Sequence, residues 1–383
     1  MVVGAQVNGL GVVRSLAAAG VPITVVDDNL RGAAMWSRWG NRHLVDRTFG
    51  RPLVDGLLKL QEKLSVRPVL LLTDELAVNT VSEHHAELSR YFRLRLPSPA
   101  MVTALGNKEL FERFAETHAF PVPRTVVVKR ESDLAKIADL GWPIIIKPAD
   151  KLLVHTGRLE RLSVANTMDD AAAACRRFLK LGETPVVQEW IEGPDSNIYF
   201  ALFHSGLSPM SRSTFIGRKI AANPPGVGST AICVPAPEAA EALRPLTEKF
   251  LDVSQYEGLG SLEYKWDPRG RRFVIIEPTV GRTDFQEEIA TLNGLNLALV
   301  AYCYELGEPI PEQKDVDAVA WRESFRDIRL RSGFRMRTYD GYWRIDDPLP
   351  ALAYCIDLPV RAVRRLTRRL NPTRLPLRRH RIA

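Results

Sequence analysis

Apolar runs and amphipathic stretches alternate along the first hundred residues. Val2-Val3 precedes a glycine-rich turn, Val12 to Ala19 has helical periodicity, and Val21-Pro22-Ile23-Thr24-Val25-Val26 reads as a buried strand ending at Asp27-Asp28. A further apolar strand, Val69 to Leu72, ends at Thr73-Asp74-Glu75. Strands alternating with helices predict a mostly parallel, Rossmann-like sheet. Ligands of such sheets lie beyond the carboxyl ends of the strands, which makes Gly4, Asn8, Gly9, Asp27, Asp74 and Glu75 candidates. The segment Gly4 to Gly11 lacks GxGxxG spacing; it fits a structural tight turn and a backbone cradle for an anion about equally. A dinucleotide-binding dehydrogenase is disfavoured by that spacing and by the lack of a hydride-transfer site elsewhere.

The pattern changes after Leu96-Pro97-Ser98-Pro99, a boundary. Asn107 is placed to cap a helix over NKELFERFAETH, with Lys108 in the first turn, where the helix dipole disfavours a cation. That placement fits a solvated surface lysine and also an anionic ligand. Lys147 ends the apolar strand Pro143 to Ile146, and a buried lysine needs a partner, of which phosphate is one. The loop that follows carries Lys151, His155, Thr156, Gly157, Arg158 and Arg161. Ala171 to Leu181 is helical, and Pro185 to Gln188 is a strand running into Glu189-Trp190-Ile191-Glu192-Gly193-Pro194-Asp195. Ile198 to Phe203 and Pro209 to Ile216 are further strands; Arg218-Lys219 precede a Pro/Gly loop, NPPGVGST, at 223–230; Ala239 to Val253 and Glu287 to Leu306 are helices. The pair His84-His85 falls in a helical run and reads as a surface face rather than a metal site.

Residues Gly258 to Arg282 read as a β-hairpin around the turn residues Asp267-Pro268-Arg269-Gly270. With a loop from Pro268 to Arg272, Glu263 lies opposite Glu277, about 5 Å away across the strands. Two like charges there are unfavourable unless a cation lies between them, and Mg²⁺ takes one or two carboxylates together with phosphate oxygens. A solvent-facing hairpin in a register shifted by one residue is the alternative, since one step turns every side chain to the other face.

Length and composition set the frame. The 383 residues suggest two or three domains, and 45% apolar with 25% charged residues is ordinary for a soluble protein. No stretch approaches the roughly 18 apolar residues of a membrane span. The N-terminal residues lack a basic region followed by an apolar one, so no signal peptide is expected. The scattered Cys175, Cys233, Cys303 and Cys355 have no metal-ligand spacing and fit reduced thiols in a cytoplasmic protein. The net charge of +7 resides in the end of the chain: nine arginines and no acids follow from Arg361, and without them acids slightly outnumber bases. This argues against a nucleic-acid-binding body.

Lys108, Lys147 after an apolar strand, QEWIEGPD and a paired-glutamate hairpin occur in an order that resembles the ATP-grasp superfamily over about residues 1–310. Within it the chain resembles D-aspartate ligase-like and carbamoyl-phosphate-synthase-like carboxylate–amine ligases. GRKIAANPPGVGST and IIEPTVGRTDFQEEIATLNG resemble a bacterial subgroup associated with surface-polysaccharide genes. The resemblance implies an α/β and α+β fold: a Rossmann-like pre-ATP-grasp domain (1–105), an N-terminal ATP-grasp part with lid (106–190), a C-terminal catalytic part (191–312) and an extension (313–383). It implies ATP and Mg²⁺, with Mn²⁺ as an option, a small-molecule or glycan-linked carboxylate and an amine as substrates, and a homodimer as in many relatives. Lys108 and Lys147 match lysines that contact ATP phosphates; Gln188, Glu189, Trp190 and Ile191 match the segment whose backbone reads adenine. Asp195, or else Glu192, matches the acid on the ribose. Glu263 and Glu277 match the magnesium carboxylates, Arg282 an arginine that steadies phosphate or an oxyanion, and Arg218 and Lys219 phosphate or substrate contacts. Thr279 stands where much of the family has asparagine, and Gly157 is alone in a loop that is usually glycine-rich. These departures leave open a non-catalytic nucleotide-binding scaffold on the same fold.

Residues 350–370 place Arg361, Arg364, Arg365, Arg368 and Arg369 on one helical face and Val360, Val363, Leu366 and Leu370 on another. Such a helix fits an anionic membrane surface and, equally, packing on the body with a solvated face; nucleic acid is the weaker option.

Overall fold

Val2–Val3 (β1), Ile23–Asp27 (β2), Gly40–Leu44 (β3) and Leu71–Leu72 (β4) form a four-stranded, all-parallel sheet in the order β3-β2-β1-β4, as the alternating pattern predicts. The structure is a computed structural model that describes residues 1–150, 162–323 and 335–356. The basic loop after Lys147, including Gly157, Arg158 and Arg161, and the arginine-rich end lie outside those residues.

The first helix starts earlier than its apolar periodicity suggests, at Val7 rather than Val12, and runs to Ala17. Gly9 therefore lies inside it, where a Cβ would meet the Gly4 carbonyl oxygen at 2.0 Å. The glycines serve close helix–turn packing here. Asp27 accepts backbone N–H groups from Ala5 (2.6 Å) and Asn29 (2.9 Å), and burial pushes its pKa up to about 6. Asp74 caps the helix Glu75–Glu83, and the Asn8 amide donates to the Thr283 carbonyl at 2.7 Å. Of the six strand-end candidates, Glu75 alone lines the main cavity.

Thr125–Val127 (β5), Ile144–Pro148 (β6), Ser163–Ala165 (β7) and Pro185–Glu189 (β8) make a small antiparallel sheet, β5-β8-β6-β7, backed by the helix Met168–Lys180. Ile198–Ser205 (β9), Ser213–Asn223 (β10), Ser229–Pro235 (β11), Gly258–Asp267 (β12), Arg272–Val280 (β13), Ala320–Arg322 (β14) and Thr338–Asp340 (β15) build a seven-stranded sheet, β13-β12-β9-β10-β11-β14-β15. One core cluster joins Val3, Leu72 and Val78 of the parallel unit to Leu262, Tyr264 and Ile275 of β12 and β13. The hairpin thus turns one face into the core that anchors it.

Two further expectations change. The 209–216 strand starts only at Ser213, because Pro209–Ser211 is a 3₁₀ turn. The helix expected over Glu287 to Leu306 is two, Glu288–Leu292 and Leu297–Leu306, broken where Gly294 takes φ +90° with the Lys314 carbonyl oxygen 2.0 Å from where a Cβ would be. His84 interrupts its helix and sits 3.5 Å from Glu87, on the surface as expected.

A buried arginine, Arg14, helps tie down the segment 335–356. Arg14 donates to the carbonyls of Gly341 (2.9 Å), Tyr342 (2.9 Å) and Asp347 (3.2 Å) and to the Asp347 carboxylate (3.0 Å). Asp347, itself buried, also accepts from Ser37 Oγ and the Arg38 N–H, both at 3.0 Å. Arg14→Met leaves a buried carboxylate without its charge partner and should lower the unfolding free energy by about 3–5 kcal/mol, measured by urea denaturation; a loss under about 1 kcal/mol would mean that this network does not hold the segment.

Candidate active site

The small sheet and the seven-stranded sheet face each other across a cavity of about 340 Å³. From the small sheet come Ile145, Lys147 and Gln188 to Ile191; from the large one come Lys219, Glu263, Lys265, Ile276, Glu277 and Thr279. Lys108, Glu75, Arg282, Asp284 and Phe285 close the far side. Its volume is that of a small-ligand site.

Glu263 and Glu277 are direct cross-strand partners, as the hairpin pattern predicts, but by a different route. The strands resume at the pair Asp267–Arg272, so the loop is one residue shorter than expected, with Arg271 at φ +48°. A bulge at Ile276, between the pairs Glu263–Glu277 and Tyr264–Ile275, restores the register. The alternation then buries Leu262 and Tyr264 in the core and turns Glu263 and Lys265 to the cavity. A second irregularity, at Ile220 in β10, adjoins Lys219. Bulges that re-aim a side chain are common beside binding sites.

Each glutamate carries a lysine. Lys108 Nζ lies 3.3 Å from Glu277 and Lys219 Nζ 2.5 Å from Glu263. Asn107 caps the Lys108 helix through the Leu110 N–H, as expected, and the misplaced first-turn cation finds a carboxylate. Burial pulls the Lys219 ammonium down, but Glu263, Asp284 and Glu277 together hold it above its ordinary value. Among the described residues no group of three or more His, Cys, Asp and Glu side chains could hold a metal. Two opposed carboxylates fit Mg²⁺ only where phosphate oxygens and water complete the shell.

Lys147 finds its partner in Gln188, whose side-chain carbonyl accepts its ammonium at 3.2 Å; the Gln188 amide in turn donates to Glu112 (2.5 Å) and Thr125 (3.1 Å). Burial pushes the Glu112 pKa up to about 7. The folded state then keeps a proton that the unfolded chain releases near 4.5, so stability falls as pH rises from 4.5 to about 7. Thermal melts across that window should show a smaller decline for Glu112→Gln than for the parent; equal slopes would refute the assignment.

Some expected roles shift. The N–H groups of Glu189 and Trp190 go to the carbonyls of Arg124 (2.9 Å) and Pro143 (3.0 Å), and Gln188, Glu189, Trp190 and Ile191 all line the cavity. Asp195 does not line the cavity. Its two oxygens accept the N–H groups of Ala222 (2.9 Å) and Gly226 (2.8 Å) and pin the 223–230 loop, which a ribose ligand would have to displace. Glu192 is exposed and outside the cavity lining. Arg218 alternates away from Lys219 on β10; it pairs with Glu238 at 3.5 Å and its guanidinium lies over Tyr199. The structure does not bring Arg218 to the cavity.

Lys265 is the residue the sequence reading passed over. It is buried beside the cavity with its ammonium 5.1 Å from the centre of the Trp190 ring, and burial lowers its pKa against the pull of Glu263 and Asp195. Its place two residues after Glu263, on the same strand face, was the available signal. The 223–230 loop also reaches the cavity: Gly226 to Thr230 line it, and a Cβ on Gly228 would meet the Asn223 carbonyl carbon at 2.0 Å. Thr230 and Arg282 both line the cavity, and Thr230 Oγ1 and Arg282 Nε are fully buried with no hydrogen-bond partner among the described residues. Such atoms call for a ligand or water.

No protein-family profile matches the chain. It is 26% identical over 229 residues to D-aspartate ligase of Enterococcus faecium, covering 57% of this chain and 54% of the relative. It is 28% identical over 202 residues to D-alanine–D-alanine ligase of Pseudomonas entomophila, covering 49% and 58%. The chain thus spans little more than half the length of the curated relatives it matches. In three dimensions it is similar to N5-carboxyaminoimidazole synthetase of Staphylococcus aureus complexed with ADP, with a TM-score of 0.63, 13% identity, and coverage of 83% of this chain and 80% of that one. The chain has the ATP-grasp fold, and in sequence it resembles the D-aspartate and D-alanine–D-alanine ligases.

Proposed function

We propose that this chain is an ATP- and Mg²⁺-dependent ligase that joins a carboxylate to an amine through an acyl phosphate. The observation that carries the reading is the bulge-restored pair Glu263–Glu277 with Lys108 and Lys219 against it, in a cavity whose opposite wall holds Lys147. Glu263 and Glu277 would hold Mg²⁺, with Thr279 beside them on the same strand as Glu277. Bound Mg²⁺ supplies charge neutralisation across the phosphate oxygens. Lys108, Lys147 and Lys219 hold the phosphates, Lys108 and Lys219 exchanging their carboxylates for them. Trp190 and Ile191 flank the base, with Lys265 above Trp190.

The chemistry needs charge neutralisation and alignment more than a protein nucleophile. A carboxylate oxygen attacks the γ-phosphorus, the β–γ bridging bond breaks, and ADP leaves with its electron pair. The amine nitrogen then attacks the acyl carbon and phosphate departs, giving an amide. Arg282 and Thr230, whose buried polar atoms lack partners among the described residues, are the groups assigned to steady the substrate carboxylate or the developing oxyanion. The names of the relatives make D-amino acids the first carboxylates to try. A role in surface-polysaccharide modification is a further possibility for the amine or carboxylate partner, with the glycan-linked group as one substrate.

The test is ADP and phosphate release from Mg-ATP with pooled D- and L-amino acids and small carboxylates. Release stimulated by one pool, traced to single compounds, supports the reading. Tight ATP binding with no stimulated turnover by any pool or glycan-linked acceptor would favour the non-catalytic scaffold, for which the threonine at position 279 is the observation. Exchange at that position adds a finer check: Thr279→Asn should keep or raise turnover, read as kcat at saturating Mg²⁺, whereas Thr279→Val should lower it about tenfold.

A further inference from the structure

Exposed apolar side chains gather where 346–349 meets residues 35–42. Helix 349–356 turns Ala351, Ala353 and Tyr354 inward, with Tyr354 packed on Tyr342 at 4.5 Å between ring centres. Leu349, Leu352 and Ile356, at i, i+3 and i+7, form the opposite face and stand in solvent, Leu352 56% and Ile356 69% exposed. Trp343 is 57% and Ile345 93% exposed on the same segment. The Arg38 guanidinium donates to the Asp346 carbonyl at 3.3 Å, and Leu349 shares a surface depression with Trp36, Arg38 and Arg42. That brings Trp36 and Trp39, both about two-fifths exposed, alongside.

Scattered exposed hydrophobics are ordinary, but five on one short segment, joined through Leu349 to the surface around Trp36, are not. These are also held outward. Arg14, Ser37 and the Arg38 backbone fix Asp347, so the segment that carries Trp343, Ile345 and Leu349 cannot fold them under without breaking a buried network. The composition points to one occupant. Three tryptophans among leucine and isoleucine are the side chains that settle at a membrane–water interface. Arginines stand among them: Arg38 stacks on Trp39 at 4.8 Å and Arg42 on Trp36 at 5.4 Å, which leaves their charge at the level of the aromatic rings. The sequence then continues beyond residue 356 into nine arginines from Arg361 with no acid among them. A second copy of this near-neutral body offers no matching field of negative charge; an anionic bilayer does.

We infer that this surface — Trp36, Trp39, Trp343, Ile345, Leu352 and Ile356 with Arg38 and Arg42 — docks the protein in the plane of an anionic membrane. The described body supplies apolar insertion and the arginines supply attraction, the two signals that stable peripheral binding requires. The inference is independent of the ligase reading.

The test is co-sedimentation of the full-length chain with vesicles of one part phosphatidylglycerol to two of phosphatidylcholine, and with phosphatidylcholine alone. The parent should bind the anionic vesicles, with tryptophan emission shifted to the blue, and bind the neutral ones weakly. Trp343→Ser/Ile345→Ser/Leu352→Ser keeps every arginine and should reduce binding roughly a hundredfold. Ile345→Ser alone, at a side chain almost wholly in solvent, should reduce it several-fold with no change in Tm. Binding of the triple variant equal to that of the parent would show that the arginines act alone and overturn the proposal. So would a parent that binds neither vesicle, or a parent dimer that the triple variant splits, which would assign the face to a second copy.

Discussion

Glu277→Gln should lower substrate-stimulated ADP release about a thousandfold and leave the fold intact. Glutamine keeps the size of the side chain and one carbonyl oxygen. It removes the charge that, opposite Glu263, is proposed to make the hairpin a cation site. It also removes the counter-charge of Lys108, 3.3 Å away. That pair is partly exposed, so its loss should cost no more than about 1 kcal/mol of stability. Kinetics and folding are thus separable, and the circular dichroism melt is the control. A fall in kcat with an unchanged melt is the expected outcome. A variant within about threefold of the parent would remove Glu277 from the site.

Lys147→Met should reduce kcat/KM for ATP about a hundredfold or more, with a larger part in KM than Glu277→Gln shows. Lys147 touches Gln188 through its ammonium and lies on the wall opposite the hairpin. Methionine fills a similar volume without the charge. Lys147 is half-buried and bonds the neutral Gln188 amide, and Glu112, whose pKa already stands near 7, can take up a proton when the neighbouring charge is lost, so the cost in stability should be small. Gln188→Leu serves as the positioning control. It should weaken ATP binding less than Lys147→Met does, and it should flatten the pH dependence of the melt if Glu112, Gln188 and Lys147 form one network. Full activity of Lys147→Met would place the phosphates elsewhere.

The parallel sheet, the capped Lys108 helix and the pairing of Glu263 with Glu277 were legible because each rests on local periodicity and turn chemistry. The bulge at Ile276 was not, since two compensating one-residue steps leave the same pairing as none. Asp195 illustrates a different limit. Its residue type and position suit a ribose ligand, but whether its oxygens are free depends on Ala222 and Gly226, which no spacing rule ties to it. Arg218 and Lys219 are neighbours in sequence and were grouped for that reason; strand alternation sends them to opposite faces. Lys265 went unnoticed although the same alternation, counted from Glu263, assigns it to the cavity. The outward face at Leu352 and Ile356 depends on which side of its helix packs, and that was settled by Tyr342 and Arg14 far away in the chain.

The most direct test of the ligase reading follows the oxygen. With Mg-ATP, an amine pool and the stimulating carboxylate labelled with ¹⁸O, the account predicts ADP and inorganic phosphate carrying one labelled oxygen, with no AMP formed. Labelled AMP with pyrophosphate would mean adenylation, and unlabelled phosphate would mean plain ATP hydrolysis; either result would contradict the acyl phosphate that the Glu263–Glu277 platform is proposed to serve.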